Sequence, residues 1–381
     1  MYFDEAPKRD IDDFYNYRAE LTELASGLKG GTRLTIVEGL RRTGKTSLIL
    51  TALHNASFPS LVIDGRGFPE SPAISKAEFV GAIQRSLNEF LKANEGWRKR
   101  ILQAVKNVKG VEVELGATPI LRLSWGGRDS EAVDLPAFFK ALGDVAKEKD
   151  THFAIVFDEA QEFNRLRGYD FPLLLSYVYD HISGVELVVS GSAIGLMYNF
   201  LRLSDTQAPL FGRAARTIKL NPLSENSSKE FLLKGFEQIR VKVSSELVER
   251  IVGALDGIIG WLTYCGAEAK FKGRMDDRIL KTAINQGSRL AAEEFNHFIF
   301  LRQIARRRYI YLMSHLAEAP ARWSQLKRAL ENDEGRPMND KVFTTLLDSL
   351  VDGGFVVKGD EEYSISDPLL RHAFHSGIII P

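Results

Sequence analysis

The chain has 381 residues, 44% of them hydrophobic and 26% charged, a composition that suggests two or three domains with real cores and excludes a disordered, collagen-like or fibrous chain. Its 50 Lys and Arg balance 50 Asp and Glu, so no chain-wide positive field draws in nucleic acid or an anionic membrane. Cys265 is the single cysteine, which forbids an intrachain disulfide or a multi-cysteine zinc site and points to a reducing compartment, the cytoplasm. Met1 to Tyr17 has no apolar run behind a basic start, and stretches such as Phe153 to Phe157 or Ile378 to Ile380 fall far short of the ~20 residues of a bilayer span, so no membrane partner is expected.

Arg33 to Glu38 reads as a short strand ending at Gly39, followed by a helix over Lys45 to Ala56 with Leu48, Ile49, Ala52 and Leu53 on one face. Leu61-Val62-Ile63 is a second strand, and Lys76 to Leu91 a second helix. Val111 to Leu115 and Ile120 to Leu123, around Gly116-Ala117-Thr118-Pro119, suggest a two-stranded excursion. After a helix at Leu135 to Lys149 come two runs typical of strands buried on both faces, Phe153 to Phe157 and Val185 to Val189, with Thr217 to Leu220 as a last strand. Strands joined through helices imply parallel pairing and an α/β layered domain. Beyond Pro222 the strand signals stop, and four helices are expected between Ser224 and Ala292. From Arg306 onward, three helices and a small hairpin resemble a winged helix. The expected domains are 1–222, 223–295 and 296–381.

Gly39-Leu40-Arg41-Arg42-Thr43-Gly44-Lys45-Thr46 matches the P-loop pattern in full, between a strand and a helix as its mechanism requires. Its glycines let backbone amides turn toward a phosphate, and the helix start adds partial positive charge. Gly39, Arg41, Arg42, Thr43, Gly44, Lys45, Thr46 and Ser47 are therefore the expected nucleotide-binding residues. Lys45 would reach the outer phosphates, and Thr46 would ligate Mg²⁺. The strand Phe153 to Phe157 runs directly into Asp158-Glu159, at the sheet edge where ligands bind. Asp158 would orient the metal and Glu159 polarise the attacking water, with Gln161 extending the same turn. Ser190-Gly191-Ser192 would bring a hydroxyl, that of Ser192, toward the γ-phosphate, and Arg213 would neutralise transition-state charge on its own nucleotide or a neighbour's.

Together with the helical follow-on and the winged helix, these motifs resemble the archaeal ATPase family of AAA+ P-loop proteins, near the signal-transducing STAND branch. The resemblance covers nearly the whole chain. It implies a parallel sheet in the order 5-1-4-3-2, a helical lid, and ATP or ADP with Mg²⁺ as ligands. It also implies that Arg213, in Pro209-Leu210-Phe211-Gly212-Arg213, is the family's loop arginine. Phe14-Tyr15-Asn16 before Glu20-Leu21 resembles the adenine-side segment, placing Tyr15 and Asn16 at the nucleotide. In the lid, Gly257-Ile258-Ile259-Gly260 has Ile259 where STAND relatives carry proline.

From Phe300 to Pro381, 11 Lys and Arg face 11 Asp and Glu, whereas a DNA reader concentrates positive charge on one face. The expected recognition helix, Asn339 to Leu350, offers Lys341 against Asp340 and Asp348. A protein partner is therefore favoured over DNA. The expected activity is that of a slow Mg-ATPase switch that couples nucleotide state to movement of lid and winged helix, with homo-oligomers as a further option. The rivals are a DNA-binding loader resembling origin-recognition AAA+ proteins and a small-molecule P-loop kinase.

Overall fold

Five parallel strands form the centre of the computed structural model: Leu34–Gly39, Ser60–Asp64, Phe153–Asp158, Val185–Gly191 and Arg216–Leu220. The structure describes residues 1–69, 71–114, 120–126, 131–203, 205–300 and 302–379. Counted along the chain, the strands lie in the order 5-1-4-3-2, as expected. The register aligns Asp64 with Asp158 and Glu38 with Gly191, so the ends of the first four strands share one edge of the sheet.

The sheet is covered on both faces, and successive residues divide between two cores. Val37, Val156 and Val188 face one core with the helix Lys45–Asn55, whereas Ile36, Ile155 and Leu187 face the other with Lys76–Ala93 and Leu135–Lys147. This alternation explains why strands buried on both sides read as unbroken apolar runs. The antiparallel pair Val111–Glu114 and Ile120–Leu123 forms as expected, while the turn at Gly116 to Pro119 lies outside the described residues. Among the described residues no helix is long and apolar enough to cross a membrane.

The first core continues without interruption into the helices Glu225–Gln238, Ser245–Leu255, Ile259–Lys272 and Asp277–Phe300, and on into the C-terminal unit. The last of these helices runs eight residues past its expected end at Ala292. Its extra turns carry Glu294, Phe295 and Phe298, and Phe298 packs its ring against Phe355 at 4.9 Å. The C-terminal unit has helices Arg306–Glu318, Trp323–Glu334 and Asp340–Asp352 and a three-stranded sheet, a winged helix with Ala321–Arg322 as an unforeseen third strand. A basic helix, Glu95–Val105, was also not foreseen. It presents only Ile101 and Val105 fully to the core, too few for a periodic signal.

At the opposite edge of the sheet, Glu186 is 1% exposed, and neither carboxyl oxygen has a well-aligned hydrogen bond, although His152 Nδ1 lies 3.3 Å from Oε1. Burial pushes its pKa up to about 9, against smaller pulls from the Gly31 backbone and Arg33. The folded chain thus retains a proton that the unfolded chain, with a value of about 4.3, gives up. Stability conferred by the neutral acid is full below that value and is lost as pH rises toward about 9. Urea midpoints at pH 5 and pH 8 should therefore fall with pH in the wild type and fall less in Glu186→Gln; equal slopes would show that Glu186 is ionised when folded.

Candidate functional site

The loop after the first strand is shaped by steric necessity at its two glycines. A Cβ on Gly39 would lie 2.5 Å from the Leu220 carbonyl oxygen and 2.8 Å from Thr43 Oγ1, closer than real contacts allow. Gly44 has φ 93° and opens the helix Lys45–Asn55, a conformation costly for any residue with a Cβ. Within the loop, Thr43 Oγ1 donates to the Leu40 carbonyl at 2.8 Å. Lys45 is buried, and its Nζ donates to the carbonyls of Gly39 (3.0 Å) and Leu40 (2.8 Å). Burial lowers the Lys45 pKa, while Glu159 and Asp158 pull it back up.

Across the loop stand the two acidic residues of the third strand, and their environments separate them. Asp158 accepts from Thr46 Oγ1 at 2.6 Å and from the Ser190 hydroxyl. Burial and the adjacent Glu159 push its pKa up, against those two hydroxyls and Arg66. Glu159 turns out of the strand with φ 50°, and its Oε2 accepts from Ser192 N–H (3.0 Å), Ser192 Oγ (2.6 Å) and Gln161 Nε2 (2.6 Å). Burial alone would raise its pKa; Lys45 and the bonds from Ser192 and Gln161 outweigh it and hold the carboxyl down at about 2. All three donors converge on Oε2, so Oε1 remains for a water molecule.

A cavity of about 270 Å³ runs from this cluster between sheet and helical bundle. Thr43 to Ser47, Arg42, Arg66 and Glu159 line its polar end, and Tyr15, Phe231 and Tyr264 its aromatic end. Tyr15 OH donates to Glu230 at 2.9 Å, and its ring lies 5.3 Å from that of Phe231. An elongated ligand with a flat ring at one end and several negative charges at the other matches this lining.

Residues 14–264 match the family model of an ATPase domain found predominantly in Archaea, well over half of the chain. The chain belongs to this archaeal ATPase family. Residues 303–366 of this ATPase match the C-terminal winged helix-turn-helix domain of MCM proteins. Among solved structures it is similar to the Walker-type ATPase of Pyrococcus abyssi, with 28% identity, a TM-score of 0.81, and coverage of 98% of this chain and 100% of that one. It also shares its fold with the ORC2 protein of Aeropyrum pernix in ADPNP-ADP complexes, at 14% identity and TM-score 0.61, with 98% and 95% of the two chains covered. Comparison with curated proteins returns no match.

Two of the ATPase's expected site residues, Asn16 and Arg41, lie elsewhere than the sequence suggested, and Arg213 is held away from this chain's own cavity, which leaves its action on a neighbour's nucleotide open. Asn16 is not part of the cavity wall; it occupies a left-handed turn with φ 61° between Tyr15 and Tyr17, both of which do line the cavity. Arg213 is forked onto Asp180 of the helix Phe171–His181, with Nε 2.9 Å from Oδ1, and lines no part of the cavity. Arg41 turns away from it, to Glu294 (3.1 Å) and over the Phe355 ring (4.7 Å). Arg42 does line the cavity, yet its guanidinium bonds Glu294 at 2.6 Å and stacks on Trp261 at 3.9 Å.

The structure also brings in groups that sequence reasoning missed. Glu294 and Trp261 receive the loop arginines, and Trp261 Nε1 donates to both oxygens of Asp367 at 3.0 Å. Gly260 N–H donates to the Arg42 carbonyl at 2.9 Å. With Ile259 opening that helix, the bundle thus grips the loop with isoleucine where the sequence resemblance leads one to expect proline. Arg66 joins from the second strand, 3.5 Å from Asp158 Oδ2. Asp64-Gly65-Arg66-Gly67 directly after an apolar strand was the legible signal for it.

Proposed function

We propose that the chain is a Mg-ATP-dependent switch in which the γ-phosphate site is wired to the helical lid and winged helix. The carrying observation is the pair Arg41 and Arg42, which sit in the phosphate loop and are both held by Glu294 of the helix Asp277–Phe300. Arg42 is held with φ 65°, a backbone cost of about 1–3 kcal/mol that its surroundings must offset. A second link reaches the water-orienting side. Gly354 of the winged helix packs so closely that a Cβ would lie 2.9 Å from the Ser192 carbonyl oxygen, and Asn199 Nδ2 donates to Asp352 at 2.7 Å. Any shift of Ser192 or the loop arginines with nucleotide state is therefore felt by the C-terminal unit.

For Mg²⁺, the Thr46 hydroxyl and Asp158 carboxylate are adjacent hard oxygen donors, which suits a cation held by one or two protein ligands together with phosphate oxygens. When bound it supplies charge neutralisation at the phosphates. Lys45 would exchange loop carbonyls for phosphate oxygens. Glu159, ionised at neutral pH, would orient a water whose oxygen bonds to the γ-phosphorus as the bond to the β–γ bridging oxygen breaks. The proton leaves toward Glu159, and ADP and inorganic phosphate result. Turnover by the lone chain should be slow, and Arg213, engaged with Asp180, would act only on a second copy's nucleotide. We place the working units at 1–222, 223–295 and 296–381 in the cytoplasm, with the helix Asp277–Phe300 as the junction of the last two.

A DNA-directed role has the winged-helix match in its favour. Against it, four of the basic side chains of this unit are engaged locally: Arg307 with Asp333, Arg308 with Glu334, Lys327 with Glu331 and Asp340, and Arg322 with Glu361. A protein partner suits that surface better. The switch reading predicts that Glu294→Gln, which weakens both loop ion pairs, changes the ADP release rate at least about fivefold, the scale of about 1 kcal/mol of coupling. Stopped-flow with a fluorescent ADP analogue measures it, and an unchanged rate would disconnect the lid from the nucleotide.

A further inference from the structure

The second strand ends in a turn that is pressed onto the acidic strand end. A Cβ on Gly65 would lie 2.7 Å from the Glu159 carbonyl oxygen and 2.7 Å from Glu162 Cβ, so only glycine permits this approach. The turn delivers Arg66 to the cavity wall, facing the polar end formed by Lys45, Thr46 and Glu159. Asp64 fixes it there in two ways. Its Oδ1 accepts the Arg66 backbone N–H at 2.9 Å, and its two oxygens clasp one edge of the guanidinium, Nε at 3.0 and 3.2 Å and Nη2 at 2.8 Å. Nη1 makes no hydrogen bond or ion pair among the described residues, and Nη2 approaches Asp158 Oδ2 at 3.5 Å.

This is a guanidinium oriented by one carboxylate in the wall of the cavity that Lys45 and Thr46 also line, with Nη1 left unengaged among the described residues. The position matters because Arg213 does not line the cavity, and Lys45 is a point charge without a two-donor edge. We propose that Arg66 is the chain's own transition-state arginine, a catalytic residue donating from its free edge to the γ-phosphate oxygens, with Asp64 as its positioning residue. The inference rests on the Mg-ATPase reading above. As the bond to the β–γ bridging oxygen breaks and water adds, charge spreads over the three γ-oxygens and the leaving oxygen. A fixed two-donor edge meets that charge without reorganising. In the nucleotide-free chain the same edge is drawn toward Asp158, and a metal taking up that carboxylate would leave phosphate as the better partner.

The test compares wild type with Arg66→Ala, Arg66→Lys and Asp64→Asn by phosphate release and by calorimetric titration with MgADP and with Mg-ATPγS. Removing one such donor should lower kcat about 10²- to 10³-fold. Arg66→Ala should also weaken Mg-ATPγS about tenfold while leaving MgADP within about twofold, because the contact is to the third phosphate. Arg66→Lys should recover part of the rate, and Asp64→Asn should lower kcat less than Arg66→Ala. A kcat within about threefold of wild type, or equal losses for both nucleotides, would show that Arg66 is a surface ion pair and overturn this inference alone. A wild-type chain that bound neither nucleotide would overturn the ATPase reading together with it.

Discussion

Replacing Lys45 with alanine is expected to remove most of the response of the chain to MgATP. Truncating a buried, hydrogen-bonded charge typically costs about 2–5 kcal/mol of binding, which at 1.4 kcal/mol per tenfold is roughly 30- to 3,000-fold in Kd. The change also acts before any ligand arrives. Lys45 is the main group holding Glu159 ionised against burial, so the alanine variant leaves two neighbouring carboxylates facing each other, and both should bind protons more readily. Thermal melts read the two effects together. Ligand at 100 times the wild-type Kd stabilises the wild type by about 2.7 kcal/mol, a shift of roughly 3–4 °C for a chain of this size, and at the same concentration about a third of it or less should remain in Lys45→Ala. Retained ATP affinity would remove the phosphate-loop assignment.

Glu159→Gln should keep ATP and lose turnover, by about 10²- to 10⁴-fold, the usual contribution of a positioned proton acceptor. The amide oxygen can still accept from Ser192 N–H and Oγ, so the local structure should survive. What it cannot do is take a proton from water. Loss of the negative charge also frees Lys45 from one of its attractions, so ATP affinity should hold or tighten. The pH response gives an independent check. A carboxyl held at about 2 stays ionised from pH 5 to 8, so Glu159 itself should produce no acid limb in that range. Its folded value lies below the unfolded value of about 4.3. Its contribution to stability is therefore present above that pH and lost as pH falls toward 2, and this component should be missing from acid denaturation of Glu159→Gln. Full hydrolysis by the variant would exclude Glu159 as the water-orienting group.

The phosphate loop and the Asp158-Glu159 strand end were legible because each is carried by neighbours along the chain, whereas the sheet order came only from the family resemblance. Gly39 to Thr46 is one contiguous string whose glycines answer local steric demands. The apolar run Phe153 to Phe157 announces a strand buried on both faces, and the acidic pair at its end follows in the next two positions. Ser190-Gly191-Ser192 was legible for the same reason, as the end of another buried strand, and the structure adds that Ser192 bonds Glu159 twice.

Where Arg213 and Arg41 point was not legible because the destination of a long side chain depends on what lies across from it, while Asn16 is set by its own left-handed turn. Arg213 reaches Asp180, 33 residues away in sequence, and Arg41 reaches Glu294, 253 residues away. No local pattern encodes either partner. The same holds for Arg66, whose value to the site comes from the parallel register that sets Asp64 beside Asp158.

Local sequence thus decided which backbone would wrap a phosphate and which strand would end in acid, since backbone conformation and strand burial answer to adjacent residues. Which arginine faces the cavity, which is tied to the lid, and that the winged helix rests against the carbonyl of Ser192 were decided only on folding, when segments far apart in the chain came within reach and competing charges found their nearest partners.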